Sequence, residues 1–159
     1  MSSDIQKQAR YERLYAQLLP LMEKTENPVS RMATITAVLH NKMKPFFWTG
    51  FYLLSPPDAL LVGPYQGPLA CLVLRRGKGV CWAAVEAGKP IVVRNVHEFP
   101  GHVACDSRSQ SEIVVPMFDP SGRVAGVLDV DSDQLNAFDQ IDALWLEKIV
   151  ALVQPVLIS

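Results

Sequence analysis

With 159 residues, 49% of them hydrophobic, and 15 basic side chains against 16 acidic ones, the chain suffices for one well-cored domain and carries a formal net charge of −1. The charges are scattered, with no basic block or basic amphipathic face, which argues against nucleic acid and anionic membrane as partners. No apolar run approaches the roughly 20 residues that a membrane-spanning helix needs.

The polar start MSSDIQKQARYERL reads as the opening of a helix rather than a secretory signal, so a cytosolic location is expected. Ile5, Ala9, Leu14, Leu18 and Met22 fall near helical spacing, and Ser3 with Gln6 resembles a capping box. Pro20 is expected to bend or end this helix near its last turn. Asn27 as cap and Pro28 at the first helical position open a second helix, with Val29, Met32, Ile35 and Leu39 on one face. FFWTGFYLL predicts a strand, SPPDA (55–59) a turn, LLVGPYQG a second strand and ACLVLRR a third. KGVCWAAVEAGKP (78–90) predicts a short helix between two glycines, closed by Gly88 and Pro90.

IVVRNV predicts a short buried strand. The loop HEFPGHVACDSRSQ (97–110) separates it from SEIVVPMFD, which a turn at PSG joins to RVAGVLDVDS as a hairpin. A last helix, capped by Asp139, has Ile141, Leu144, Trp145, Ile149, Leu152 and Val156 on its apolar face. Strands joined by short turns imply an antiparallel sheet with the terminal helices packed against it, an α+β architecture. Residues 1–26 are read as an N-terminal helix and residues 27–159 as the core and C-terminal helix of that single domain.

Chemistry concentrates in and beyond the 97–110 loop, whose length is near that at which loops tend to be functional. Cys105 is followed by seven residues without an apolar side chain, an odd place for a residue type that usually behaves as a small buried hydrophobe. His102 and Arg108, each three residues away, favour a thiolate electrostatically, and Asp106 opposes it. An unreactive loop thiol is the plain alternative. His102 and Cys105 also form H-x-x-C, but a zinc site normally takes four ligands, and His97, Cys71 and Cys81 lack ligand spacing. Three cysteines, an odd count, do not suggest a structural disulfide framework; they allow one reactive thiol and a resolving partner.

SQSE (109–112) fits a capping box, yet it precedes the β-branched IVVP, so Glu112 is placed at the start of a strand. Asp129 and Asp131, two apart in LDVDS, point to one face by pleat alternation. Solvated strand-end acids are their plain reading. With Glu112 on the partner strand they also make a polar-ligand site in which crowding raises at least one pKa and lets that group donate a proton. Trp48 and Tyr52 face the same side as Gly50; taken alone, each reads as a core aromatic.

In order and spacing, WTGFYLL, LLVGPYQGPLACLVL, GKGVC, NVHEFPGHVACDSRSQSEIVVP and GVLDVDS resemble the free methionine-(R)-sulfoxide reductases, which are single GAF-domain enzymes. The resemblance runs from about Asn27 to the final helix and implies a GAF fold, often homodimeric, and free methionine-(R)-sulfoxide as substrate. It implies Cys105 as the catalytic cysteine, Cys71 as the resolving one, and Cys81 as a third that exchanges disulfides in some members. It further implies Glu112, Asp129 and Asp131 as the carboxylates that hold and polarise the sulfoxide, Trp48 as the aromatic wall against its methyl group, and thioredoxin as reductant. Tyr52, beside Trp48, is expected in the substrate site. Pro68 and Trp82 stand where the family commonly has lysine and glycine.

The implied chemistry is attack of the Cys105 thiolate on the protonated sulfoxide, a sulfenic acid, and its condensation with Cys71. It needs no metal or organic cofactor. A non-catalytic GAF module that binds a small ligand, and a thiol sensor oxidised by peroxide, are the alternatives from other classes.

Overall fold

A computed structural model describes residues 2–154. The elements run α1 (Ser3–Met22), α2 (Pro28–Lys42), β1 (Trp48–Ser55), β2 (Ala59–Gln66), β3 (Val73–Arg75), α3 (Gly79–Ala87), β4 (Ile91–Val93), a short 3-10 turn (Val96–Glu98), β5 (Ser111–Phe118), β6 (Val124–Ser132) and α4 (Gln140–Val150). Among the described residues six strands form one antiparallel sheet in the order β3-β2-β1-β6-β5-β4. This is the expected α+β arrangement, with β1 and β6 at the centre of the sheet.

Both faces of this sheet are covered, and strand alternation assigns each residue to one of them. Phe51, Ile113, Val115, Met117, Leu128 and Val130 belong to a core shared with α1, α2 and α4. Trp48, Tyr52, Val114 and Val127 belong to a second core under α3, with Val80, Cys81 and Trp82. The thicker, helix-packed face carries most of the hydrophobic driving force. The α3 face is where polar residues interrupt the apolar layer.

Helix caps follow the expected chemistry with one shift. Asn27 caps α2 by accepting from the Ser30 amide at 3.0 Å, and Pro28 begins the helix. The cap of α1 is Ser2, which accepts from the Ile5 amide at 3.3 Å, so the Ser3–Gln6 box does not form. Pro20 sits in the last turn of α1, which ends at Met22. The buried faces contain Leu14, Leu18, Met22, Met32, Ile35, Leu39, Trp145 and Ile149 as predicted, but Ile5, Val29 and Leu144 are exposed and Tyr11, Ala143, Leu146 and Val150 are buried as well. Periodicity alone leaves such flanking positions undecided, because an apolar stripe is wider than one row. Val156 lies outside the described residues.

Asp142 ties the N- and C-terminal helices together from inside the core. It accepts from the Tyr11 hydroxyl, from Lys7 Nζ at 2.8 Å and, closing a capping box with Asp139, from the Asp139 amide at 2.9 Å. Asp142→Ala strands a buried phenol and leaves the half-buried Lys7 ammonium with Asp139 alone, at 3.1 Å, so it is expected to destabilise the protein by about 3 kcal/mol in a urea titration. A loss below about 1 kcal/mol, the size of one ordinary hydrogen bond, contradicts this account. No helix among the described residues is long and apolar enough to cross a membrane.

Candidate active site

Strand register assembles the floor of the site. Trp48 pairs with Asp131, and Asp131 with Glu112, in one row across β1, β6 and β5. In the next row on the same face, Gly50 pairs with Asp129 and Asp129 with Val114. Trp48, Tyr52, Glu112, Asp129 and Asp131 therefore stand together on the α3 face, where they line one pocket. The missing side chain at Gly50 lets the Trp48 indole lie across β1; a Cβ there would sit 2.6 Å from Trp48 Cη2. Trp48 stacks on Tyr52 and on Tyr65, with centroids 5.8 and 5.2 Å apart.

The pocket walls come from three other segments, the first being Leu69, Ala70 and Leu74 around Cys71. The start of α3 contributes Lys78, Gly79, Val80 and Cys81, and the 97–110 loop contributes His102, Val103, Cys105 and Asp106. Lys78 precedes α3 without a side-chain cap bond, so the first-turn amides of that helix keep their unsatisfied donors near the pocket.

Cys71 does not line the pocket but is joined to Cys105 in a disulfide, with the Cα atoms 5.4 Å apart across a sequence separation of 34. Its segment is pinned from beneath by three ring donors. Trp48 Nε1 donates to the Pro68 carbonyl (3.0 Å), the Tyr52 hydroxyl to the Cys71 carbonyl (2.9 Å) and Trp82 Nε1 to the Leu74 carbonyl (2.9 Å). These bonds explain why ACLVLRR is strand only at Val73–Arg75: the carbonyls of Pro68 and Cys71 bond to rings instead of to β2. The two departures from the family pattern also acquire structural roles. Pro68 needs only its carbonyl, and Trp82 supplies the third donor.

Burial controls the electrostatics. Glu112 and Asp129 are buried, and Asp131 is half-buried. Desolvation, then repulsion from Asp129 and Asp131, pushes the Glu112 carboxyl well above its ordinary range. Asp131 is raised by desolvation and by Asp129. Asp129 is also raised by burial, but bonds from Glu112 and Cys81 oppose the shift. Asp129 is thus the member that best tolerates charge, and Glu112 is suited to hold the proton. Asp129 Oδ1 has no ordinary donor, which fits a neighbour that bears a proton, either the Glu112 carboxyl or the Cys81 thiol. Cys81 Sγ and one oxygen each of Glu112 and Asp129 lie within 4.8 Å of one another, close enough to share a proton or a cation. Burial pushes the Cys81 thiol up, so it is a poor nucleophile here.

Two sequence expectations fail. Arg108 does not serve Cys105: it chelates Asp106 through contacts of 2.8 and 3.0 Å and lies 4.9 Å over the Phe47 ring. His102 faces Glu112 at 3.7 Å, and desolvation lowers its pKa, so at neutral pH it is an uncharged neighbour of the acid. The H-x-x-C pair likewise does not converge as ligands, since His102 meets Glu112 and Cys105 is in the disulfide. The strand reading of Glu112 holds, and SQSE forms no helix. Sequence reasoning missed Trp82 as a loop anchor and α3's N-terminus as a wall. An indole on a nine-residue helix otherwise built of small and medium side chains was the available signal.

Residues 32–157 match the GAF domain family. The chain is 44% identical over 147 residues to GAF domain-containing protein A of Dictyostelium discoideum, covering 92% of each chain. It is 34% identical over 158 residues to the free methionine-R-sulfoxide reductase of Saccharomyces cerevisiae, covering 96% of this chain and 88% of that one. The X-ray structure of the free methionine-R-sulfoxide reductase from Neisseria meningitidis, in complex with its substrate, superposes with a TM-score of 0.89 at 41% identity, over 93% of this chain and 88% of that one.

Proposed function

The chain belongs to the GAF-domain family, and we propose that it is a free methionine-(R)-sulfoxide reductase in which Cys105 is the nucleophile and Cys71 the resolving thiol. The observation that carries this reading is the Cys71–Cys105 disulfide at a pocket whose floor holds three acids with raised pKa values beside an indole. That combination suits a substrate with an oxygen to be protonated and a methyl group to be packed.

A sulfoxide oxygen leaves poorly until it is protonated, and Glu112 is the acid best placed to supply the proton. In the reduced protein, the Cys105 thiolate attacks the sulfoxide sulfur as Glu112 protonates the oxygen. A sulfur–sulfur bond forms as the sulfur–oxygen bond breaks; the released hydroxide attacks the Cys105 sulfur, the sulfur–sulfur bond breaks, methionine departs, and Cys105 is left as a sulfenic acid. Cys71 then attacks that sulfur, releasing water and forming the disulfide. Asp129 and Asp131 keep the proton on Glu112, and Trp48 with Tyr52 walls the methyl group. Cys81, buried with a raised pKa, sits beside Asp129 and tunes the acid cluster rather than attacking. A dithiol protein such as thioredoxin returns the disulfide to two thiols.

A free amino acid brings a carboxylate and an ammonium as well. Lys78 and the uncapped amides of α3 complement the first, and Asp106 and Asp131 the second. The test is an epimer-resolved assay: the R-sulfoxide of free methionine is consumed with thioredoxin or dithiothreitol, and the S epimer is not. In Cys71→Ser, thioredoxin-driven reaction is expected to stop after about one methionine per protein, because the sulfenic acid has no partner to resolve it. Undiminished thioredoxin turnover in that variant rules out Cys71 as the resolving residue.

A further inference from the structure

The ring-pinned segment around Cys71 carries the most exposed apolar side chains on this face. Leu69 is 84% and Leu72 71% exposed, although both flank a half-buried cysteine. Across the disulfide, Val103 is also exposed. Pro68, Cys71 and Leu74 turn their carbonyls to Trp48, Tyr52 and Trp82, and Leu69, at the pocket rim, and Leu72 between them are left exposed to solvent.

We propose that this apolar collar, Leu69, Leu72 and Val103, is the docking surface for a protein dithiol reductant. The inference rests on the reading of Cys71–Cys105 as the oxidised end of the catalytic cycle. Exposed apolar surface around a functional group marks a binding face, and the group at its centre is a disulfide that must be reached once per turnover. A permanent contact with a second copy would bar that access, so the occupant is a partner that binds and leaves. A thiolate of the reductant attacks one sulfur of the disulfide, the S–S bond breaks, and the other cysteine leaves as a thiolate. The reductant's second thiolate then resolves the mixed disulfide; the reductant is oxidised to a disulfide, and Cys71 and Cys105 gain the two electrons and, from solvent, two protons. The pinned backbone makes the collar a preformed platform, which lowers the ordering cost of docking.

Leu72→Asp tests this without touching the pocket. Oxidised protein is mixed with thioredoxin or with dithiothreitol, and the appearance of thiols is timed; no sulfoxide is present, so the outcome is independent of the reductase reading. Thioredoxin-driven reduction is expected to slow about tenfold in this variant, with dithiothreitol-driven reduction within about twofold of wild type. Equal slowing with both reductants overturns the proposal, as does no slowing with thioredoxin. A wild-type disulfide open to dithiothreitol but closed to thioredoxin overturns it too. So does a dimer, seen by sedimentation velocity, that Leu72→Asp dissociates while thioredoxin reduction is unchanged.

Discussion

Cys105→Ser is expected to lower turnover of free methionine-(R)-sulfoxide by about a thousandfold or more, the scale on which loss of a covalent nucleophile is felt. A serine hydroxyl is almost wholly un-ionised near neutral pH, and oxygen cannot take the place of sulfur in forming the sulfenic acid. Loss of fold must be separated from loss of chemistry. The disulfide, with a sequence separation of 34, stabilises the oxidised protein by about 3–4 kcal/mol on chain-entropy grounds. The comparison is therefore with reduced wild type, whose urea midpoint the variant should share. Full activity in Cys105→Ser removes the nucleophile assignment. If peroxide instead oxidises Cys105 in the wild type far faster than the sulfoxide does, a thiol sensor is the better reading.

Glu112→Gln is expected to lower kcat by about 10²–10³-fold, within the range for loss of a general acid. The amide keeps the size and polarity but has no acidic proton to give. Glu112 works only while protonated, so wild-type kcat falls as pH rises through its raised pKa, and the variant loses that basic limb. Stability moves the other way. The folded protein holds this proton above the pH, about 4.3, at which the unfolded chain releases it, so stability declines with rising pH up to the folded-state value. Each unit of upward shift costs about 1.4 kcal/mol at a pH above both values. Glu112→Gln should accordingly melt higher than wild type at pH 8 while being far slower. Unchanged kcat, or a basic limb that survives in the variant, assigns the proton to another group.

What was legible in the sequence is what depends on neighbours along the chain. Asn27 and Pro28, the Asp139 cap, the short helix between Gly79 and Gly88, and the shared face of Asp129 and Asp131 all follow from periodicities and caps spanning a few residues. The polar loop that carries Cys105 was recognisable for the same reason, as was Glu112 in a strand. Glu112 and Asp131 meet through the β5–β6 register, which residue spacing suggested and only the paired hairpin fixed.

Tertiary structure alone decided where the charges and donors went. Arg108 turned to Asp106 rather than to Cys105, and His102 to Glu112, because a loop side chain's partner depends on how its ends are held. Trp48, Tyr52 and Trp82 bond to carbonyls 20, 19 and 8 residues away, a pattern without local periodicity. The pKa shifts of the three acids likewise arise from burial, a property of the assembled fold. Short-range steric and hydrogen-bonding rules act within a helical turn or a pleat, so the sequence by itself determined the elements and the residue types of the site. Desolvation and contact between distant segments exist only once the chain has packed, so only the packed chain decided which acid keeps its proton and which cysteine faces which.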